Sequence, residues 1–108
     1  MKIAIVPIHY KNLSDTIGLL QSLKKTKVPK GNDLRVYIVD NEGSEGLSRV
    51  LENDFPSSRL LVSQGNLGFS GGNNLGMTEA MKDQADLIIA INNDTVVKTD
   101  FIEKVLSS

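Results

Sequence analysis

Apolar positions along the chain follow two alternating rhythms. Ile3 to Ile8 is a nearly continuous, β-branched run, which predicts a central strand covered on both faces. Beyond Tyr10-Lys11-Asn12, Leu13, Ile17, Leu20 and Leu23 recur at helical spacing. Lys24, Lys25 and Lys27 gather where the negative end of that helix's dipole lies. The turn-forming stretch Pro29-Lys30-Gly31-Asn32-Asp33 then leads into Val36-Tyr37-Ile38-Val39, a second strand that stops at Asp40. Leu47, Val50 and Leu51 predict a short helix before Pro56, and Arg59 to Ser63 a brief third strand.

A stretch dense in glycine and asparagine, from Gly65 to Gly76, reads as a loop that opens a third helix, in which Met77, Ala80 and Met81 carry helical spacing towards Ala85. Leu87 to Ile91 reads as a fourth buried strand ended by Asn92-Asn93-Asp94. Asp100 with Glu103 has the spacing of a capping box for a last helix. Strands alternating with helices at short spacing predict a mainly parallel sheet with right-handed crossovers, because a tight turn cannot join a parallel pair. The expected fold is a three-layer α/β/α sandwich in a single domain spanning residues 1–108, with no internal repeat and no linker.

Composition narrows the function. At 108 residues, 40% hydrophobic and 23% charged, the chain has the make-up of one globular domain. A domain of this size buries roughly two-thirds of its unfolded surface and has little stability in reserve. Twelve Lys plus Arg against thirteen Asp plus Glu give a net charge of -1, which supplies no field for nucleic acid or an anionic membrane. The lack of cysteine excludes disulfides and thiolate ligands, and cytoplasm is the expected location. Pro7 and His9 interrupt the first apolar run, which favours a strand over a signal peptide, and no segment approaches the ~20 apolar residues of a membrane span.

Ligands of open parallel sheets bind beyond the carboxyl ends of the strands, and the polar clusters of this sequence fall there. His9-Tyr10-Lys11-Asn12, Asp40-Asn41 and Asn92-Asn93-Asp94, with the glycine-rich stretch beside them, describe one cleft. Asp40 can accept a hydrogen bond from an imide nitrogen or a ribose hydroxyl, or it can simply cap a turn. The glycine-rich stretch lets backbone amides approach a ligand, or it is only a flexible loop. It lacks both the Gly-Lys-Ser/Thr ending of P-loops and the G-x-G-x-x-G of dinucleotide-binding folds. Asn92 and Asp94 offer an amide oxygen and a carboxylate to a hard divalent cation that shares substrate phosphates, or they merely end a strand. Val97 stands where a calcium loop needs its sharp-turn glycine and Val96 where it needs an oxygen ligand, which excludes an EF-hand. His9, the sole histidine, reads as a loop or packing residue and not as a base.

Taken in order, Val39-Asp40-Asn41, Asn66-Leu67-Gly68-Phe69-Ser70-Gly71-Gly72-Asn73-Asn74 and Asn92-Asn93-Asp94-Thr95 resemble the signatures of family 2 glycosyltransferases of GT-A fold, in particular the rhamnosyltransferase-like branch. Tyr10 and Asp15-Thr16-Ile17 resemble that family's first loop and helix, and Asp100-Phe101-Ile102 the segment after its metal motif.

The resemblance implies that Asp40 contacts the base of a UDP- or dTDP-sugar, that the Tyr10 loop helps enclose that base, and that Asn41 belongs to the same nucleotide-sugar site. It implies that Asn66, Gly68, Gly71, Gly72 and Asn73 line the nucleotide and diphosphate. Asn92 and Asp94 occupy the D-x-D position, where Asp94 would bind Mg2+ or Mn2+ and Asn92, flanked by Asn93, would support the ribose or metal-bound water. The family's base belongs to its later, acceptor-binding half, so the 108 residues are expected to be the donor-binding part, inactive alone. A saccharide or lipid-linked acceptor, polysaccharide assembly and a position peripheral to the membrane are family-level expectations. A non-catalytic nucleotide-binding or interaction module is the alternative. Lys11 departs from a frequent asparagine, Glu42-Gly43-Ser44-Glu45 from N-x-S-x-D, and Asn92 from the first aspartate of the metal motif.

Overall fold

A computed structural model describes residues 1–41, 45–62 and 68–108. The elements run β1 (Lys2–His9), α1 (Leu13–Lys25), β2 (Asp33–Asp40), α2 (Glu45–Asp54), β3 (Arg59–Val62), α3 (Gly68–Lys82), β4 (Leu87–Asn92) and α4 (Phe101–Ser107). The strands form one sheet in the order β3-β2-β1-β4, and each neighbouring pair is parallel. This is the expected α/β architecture.

Alternation along β1 splits the core into two layers. Ile3 and Ile5 point to one face, where Leu19, Leu20 and Leu23 of α1, Leu47 and Leu51 of α2, and Ile102 of α4 bury against them and Ile38. Ala4, Val6 and Ile8 point to the other face and pack with Tyr37, Val39 and Ala80 of α3. Three helices therefore cover one side and α3 alone covers the other, which makes the three-layer sandwich. No helix among the described residues is long and apolar enough to cross a membrane.

Three sequence expectations are corrected. The segment Gly71 to Gly76 is not a loop before the third helix but lies within α3, which begins at Gly68. Glycine's poor helix propensity is overridden there by close packing on the sheet. β4 is not a fully buried strand: Ile91 is its one buried residue and Ala90 is exposed, because among the described residues β4 pairs only with β1 and forms an edge of the sheet. Asp100 does not cap α4 with its side chain. Its backbone, at φ -96 and ψ 12, departs from the extended cap geometry, and its carboxylate meets Lys104 Nζ at 3.4 Å instead.

At the opposite end from the polar clusters, Tyr37 Oη donates a 2.8 Å hydrogen bond to Asp83 Oδ2, and Arg59 of the edge strand reaches Glu79 of α3 at 2.9 Å and Asp83, just beyond that helix, at 3.2 Å. Burial, and then the hydrogen bond to Asp83, raise the Tyr37 phenol above its ordinary value of 10.0. A phenol that loses its proton less readily in the folded state contributes stability that is complete below pH 10.0 and is lost as pH rises through the higher folded value. Urea midpoints of the wild type and Tyr37→Phe should therefore converge above pH ~10, the wild type carrying the steeper alkaline decline. Parallel pH profiles would show that Tyr37 carries no such linkage.

Candidate functional site at the carboxyl edge of the sheet

The strand register brings the predicted polar residues to one edge. His9 lies level with Asp40, and Ile8 with Asn92, so the ends of β2, β1 and β4 stand side by side. Asn41 extends the ladder by one bond, its N–H donating to His9 O at 3.0 Å. Asp40 and Asn41 are buried, whereas Tyr10, Lys11, Asn12, Asn92 and Asp94 are exposed. Parallel strands also place the amino ends of α1 and α3 at this edge, the positive ends of their dipoles, which favour anionic ligands.

A buried hydroxyl ties these loops together. Thr16, fully buried in the first turns of α1, shares a 2.6 Å hydrogen bond with His9 Nδ1 and accepts one of 3.1 Å from Asn93 Nδ2. The second hydrogen of that same amide goes to the Lys11 carbonyl at 2.9 Å. Asn93 thus uses both of its N–H groups inside the protein, so any ligand contact falls to its carbonyl oxygen. The turn around it is closed by Thr95 N–H donating to Asn92 O at 3.2 Å. Lys11 and Asn12 both adopt left-handed backbone, with φ of 58 and 53, and Asn12 caps α1 by accepting from Asp15 N at 3.3 Å. His9 is the last residue of β1 and a buried packing residue, as the sequence suggested.

α3 closes onto the edge through its glycines. A Cβ on Gly72 would lie 3.0 Å from Asn41 Nδ2 and 3.3 Å from Ile8 Cγ2, so the first turns of the helix rest directly on the ends of β1 and β2. Gly71 is partly buried, and Asn73 is partly buried with its Oδ1 unpartnered among the described residues. Gly68 is the first residue of α3. Asn66, like Glu42-Gly43-Ser44, lies outside the described residues. The structure thus brings together Tyr10, Asp40, Asn41, Gly72, Asn92, Asn93 and Asp94. Sequence reasoning gave no role of its own to Thr16, and no periodicity or motif marks a lone buried hydroxyl. The i, i+4 pair Gly72 and Gly76 was the available sign that one face of α3 is pressed on the sheet.

No group of three or more His, Cys, Asp or Glu able to hold a metal occurs among the described residues. Asp94 and Asn92 are oxygen donors of the hard type that Mg2+ and Mn2+ prefer, but one carboxylate and one amide make an incomplete set. They fit a cation whose remaining ligands come from a bound diphosphate and water.

The comparisons agree with this architecture. Residues 4–108 match the family model Glycosyl transferase family 2, and the chain belongs to that family. No curated protein sequence matches it. Among solved structures, S. aureus TarS 1–349 in complex with UDP-GlcNAc is 20% identical, with a TM-score of 0.79 over 99% of this chain and 30% of that one. A longer S. aureus TarS structure is 18% identical with a TM-score of 0.81, over 99% of this chain and 19% of that one. The mannosyltransferase PcManGT from Pyrobaculum calidifontis, in complex with GDP-Man and Mn2+, is 14% identical with a TM-score of 0.68, over 91% of this chain and 29% of that one. The fold is therefore the GT-A fold of glycosyltransferases, and the chain spans less than a third of each of these structures.

Proposed function

We propose that this chain is the donor-binding part of a glycosyltransferase that takes a UDP- or dTDP-linked hexose or rhamnose, with Mg2+ or Mn2+, and passes the sugar to an acceptor hydroxyl. The observation that carries the reading is the convergence of buried Asp40 and the Asn92-Asn93-Asp94 turn at one sheet edge, beside two helix amino ends. The UDP-GlcNAc bound by TarS and the GDP-Man and Mn2+ bound by PcManGT lend support from proteins of the same fold.

In this reading Asp40 accepts from the base, Tyr10 flanks it, and Asn41 with the first turns of α3 encloses the diphosphate. Asp94 and Asn92 hold the cation, which, when bound, stabilises charge developing on the departing diphosphate. The chain's own residues orient the nucleotide and present helix amides to its phosphates. The base that deprotonates the acceptor, and the saccharide or lipid-linked acceptor site, are assigned to the later half of the family fold. A cytoplasmic enzyme peripheral to a membrane and serving polysaccharide assembly is the setting consistent with such acceptors.

Calorimetric titration with UDP and dTDP, each with and without Mn2+, tests the proposal. Wild type should bind one of them more tightly with Mn2+, and Asp94→Ala should lose about tenfold in affinity with Mn2+ present, the worth of one ligand to a shared cation. Unchanged Mn2+-dependent binding in Asp94→Ala would remove the cation site from this turn.

A further inference from the structure

The net charge of -1 is unevenly spread. Residues 24–30 carry four lysines and no carboxylate, and residues 95–108 carry two lysines and two carboxylates. The fold joins these two segments into one face. Lys27 N–H donates to the Thr99 carbonyl at 2.8 Å, Thr26 Oγ1 to the same carbonyl at 3.2 Å, and Val97 N–H to Ser22 Oγ at 3.1 Å. The chain beyond the Asn92 turn therefore runs along the carboxyl-terminal half of α1.

An apolar groove of about 470 Å³ lies in this face. Val97 and Phe101 anchor it to the core, while Val96 is 69% exposed, more than any other large apolar side chain among the described residues. Three lysines surround it. Lys98 lines the groove, Lys27 is bonded through its backbone to the neighbouring Thr99, and Lys25 lies one turn along α1 from Ser22. All three are exposed, and no hydrogen bond or ion pair holds their ammonium groups among the described residues. Lys24 is engaged elsewhere, its Nζ donating to the Asp54 carbonyl at 2.9 Å and lying 5.1 Å over the Phe55 ring. Lys104 is paired with Asp100 at 3.4 Å, which leaves Glu103 as the other carboxylate of these segments.

Charge complementarity decides what such a face meets. Protein partners bury patches depleted in lysine, whereas the headgroup layer of an anionic membrane offers phosphates to lysines and an apolar boundary beneath them. We infer that this face docks on an anionic lipid surface, with Lys25, Lys27 and Lys98 at the lipid phosphates and Val96 entering the headgroup layer. The face adjoins the carboxyl end of α1, and the donor cleft lies at the amino end, so docking leaves the cleft open. The inference rests on the membrane setting proposed above and needs no nucleotide in the site.

Binding to vesicles tests it. The chain has no tryptophan, so Val96→Trp carries a single reporter. Its emission should shift to the blue on vesicles of equal parts phosphatidylglycerol and phosphatidylcholine and stay unchanged on phosphatidylcholine alone. Cosedimentation of the wild type with the anionic vesicles should weaken roughly fivefold for each of Lys25→Gln, Lys27→Gln and Lys98→Gln, the worth of one lysine at such a surface, and should weaken further with salt. Arg35→Gln, Arg49→Gln and Lys82→Gln remove the same charge elsewhere and should leave binding nearly unchanged. The six side chains are exposed, so thermal midpoints within each set should report an intact fold. Equal losses in the two sets, or no loss in the first, would overturn the inference while the membrane setting stands through another face. Lysine-dependent binding without a shift in Val96→Trp emission would overturn it in favour of an acidic macromolecule, and a shift that grows with protein concentration in the absence of vesicles would assign the groove to a second copy of the chain. Wild type that binds neither vesicle would overturn both the inference and the membrane setting.

Discussion

Gly76→Ala is expected to destabilise the protein by about 3 kcal/mol, although alanine is the better helix former by about 1 kcal/mol. A Cβ at this position would lie 2.2 Å from Val6 Cγ1 and 3.1 Å from Val39 Cγ2, both on buried strands of the sheet. Val6 cannot give way easily. It is fully buried in the central strand, paired on both sides, and its branched Cβ permits few rotamers. The helix must then lift from the sheet, which opens the layer formed by Ala4, Val6, Ile8, Tyr37, Val39 and Ala80 and moves the amino end of α3 away from Asn41.

Overpacking typically costs roughly 1–3 kcal/mol, and a contact this short against two rigid strands belongs at or above the upper end, so it outweighs the helical gain. Urea unfolding reads the loss as a lower midpoint at unchanged slope. Gly18→Ala in α1 is the control, since its Cβ meets nothing within 4 Å, and it should gain up to about 1 kcal/mol. Val6→Ala should cost stability alone yet relieve Gly76→Ala, giving a coupling of opposite sign in a double-mutant cycle. Equal or greater stability of Gly76→Ala than wild type would mean that α3 does not lie this close to β1.

The contrast between those two glycines shows what the sequence could and could not convey. The parallel sheet was legible because Ile3–Ile8, Val36–Val39 and Leu87–Ile91 are β-branched runs separated by helical periodicity, a local signal with one topological solution. The meeting of Asp40 with the Asn92 turn followed from that topology without any further information. The start of α3 was not legible, because Gly71, Gly72, Asn73 and Asn74 are poor helix formers, and only the tertiary contact with Ile8 and Asn41 explains them. Nor can an apolar run at Leu87–Ile91 reveal how many neighbours its strand has: it has the pattern of a buried strand, and β4 lies at an edge. Asn93 illustrates a third limit: an asparagine in a ligand motif and an asparagine that binds its own backbone look alike until both of its N–H groups are accounted for.

That accounting makes Thr16→Val the second variant with a large expected effect, a loss of about 2–4 kcal/mol with little change of side-chain shape. Valine keeps the shape but removes the oxygen that serves His9 Nδ1 at 2.6 Å and Asn93 Nδ2 at 3.1 Å, at a site with no exposure to water. Each lost bond is worth about 1 kcal/mol net, and a buried partner left without a hydrogen bond adds its own desolvation cost. The His9 side lies at the end of the central strand and the Asn93 side in the turn that bears Asp94, so the damage spreads to both halves of the site. Asn93 retains its bond to the Lys11 carbonyl, which keeps the turn near its place and limits the loss in nucleotide affinity to less than that of Asp94→Ala. Thr16→Ser separates hydroxyl from methyl: it should recover most of the stability, falling short only by about 1 kcal/mol for the missing methyl group. If Thr16→Val were as stable as wild type while Thr16→Ser was not, packing of the methyl, and not the shared hydroxyl, would be what joins α1 to the two strand ends.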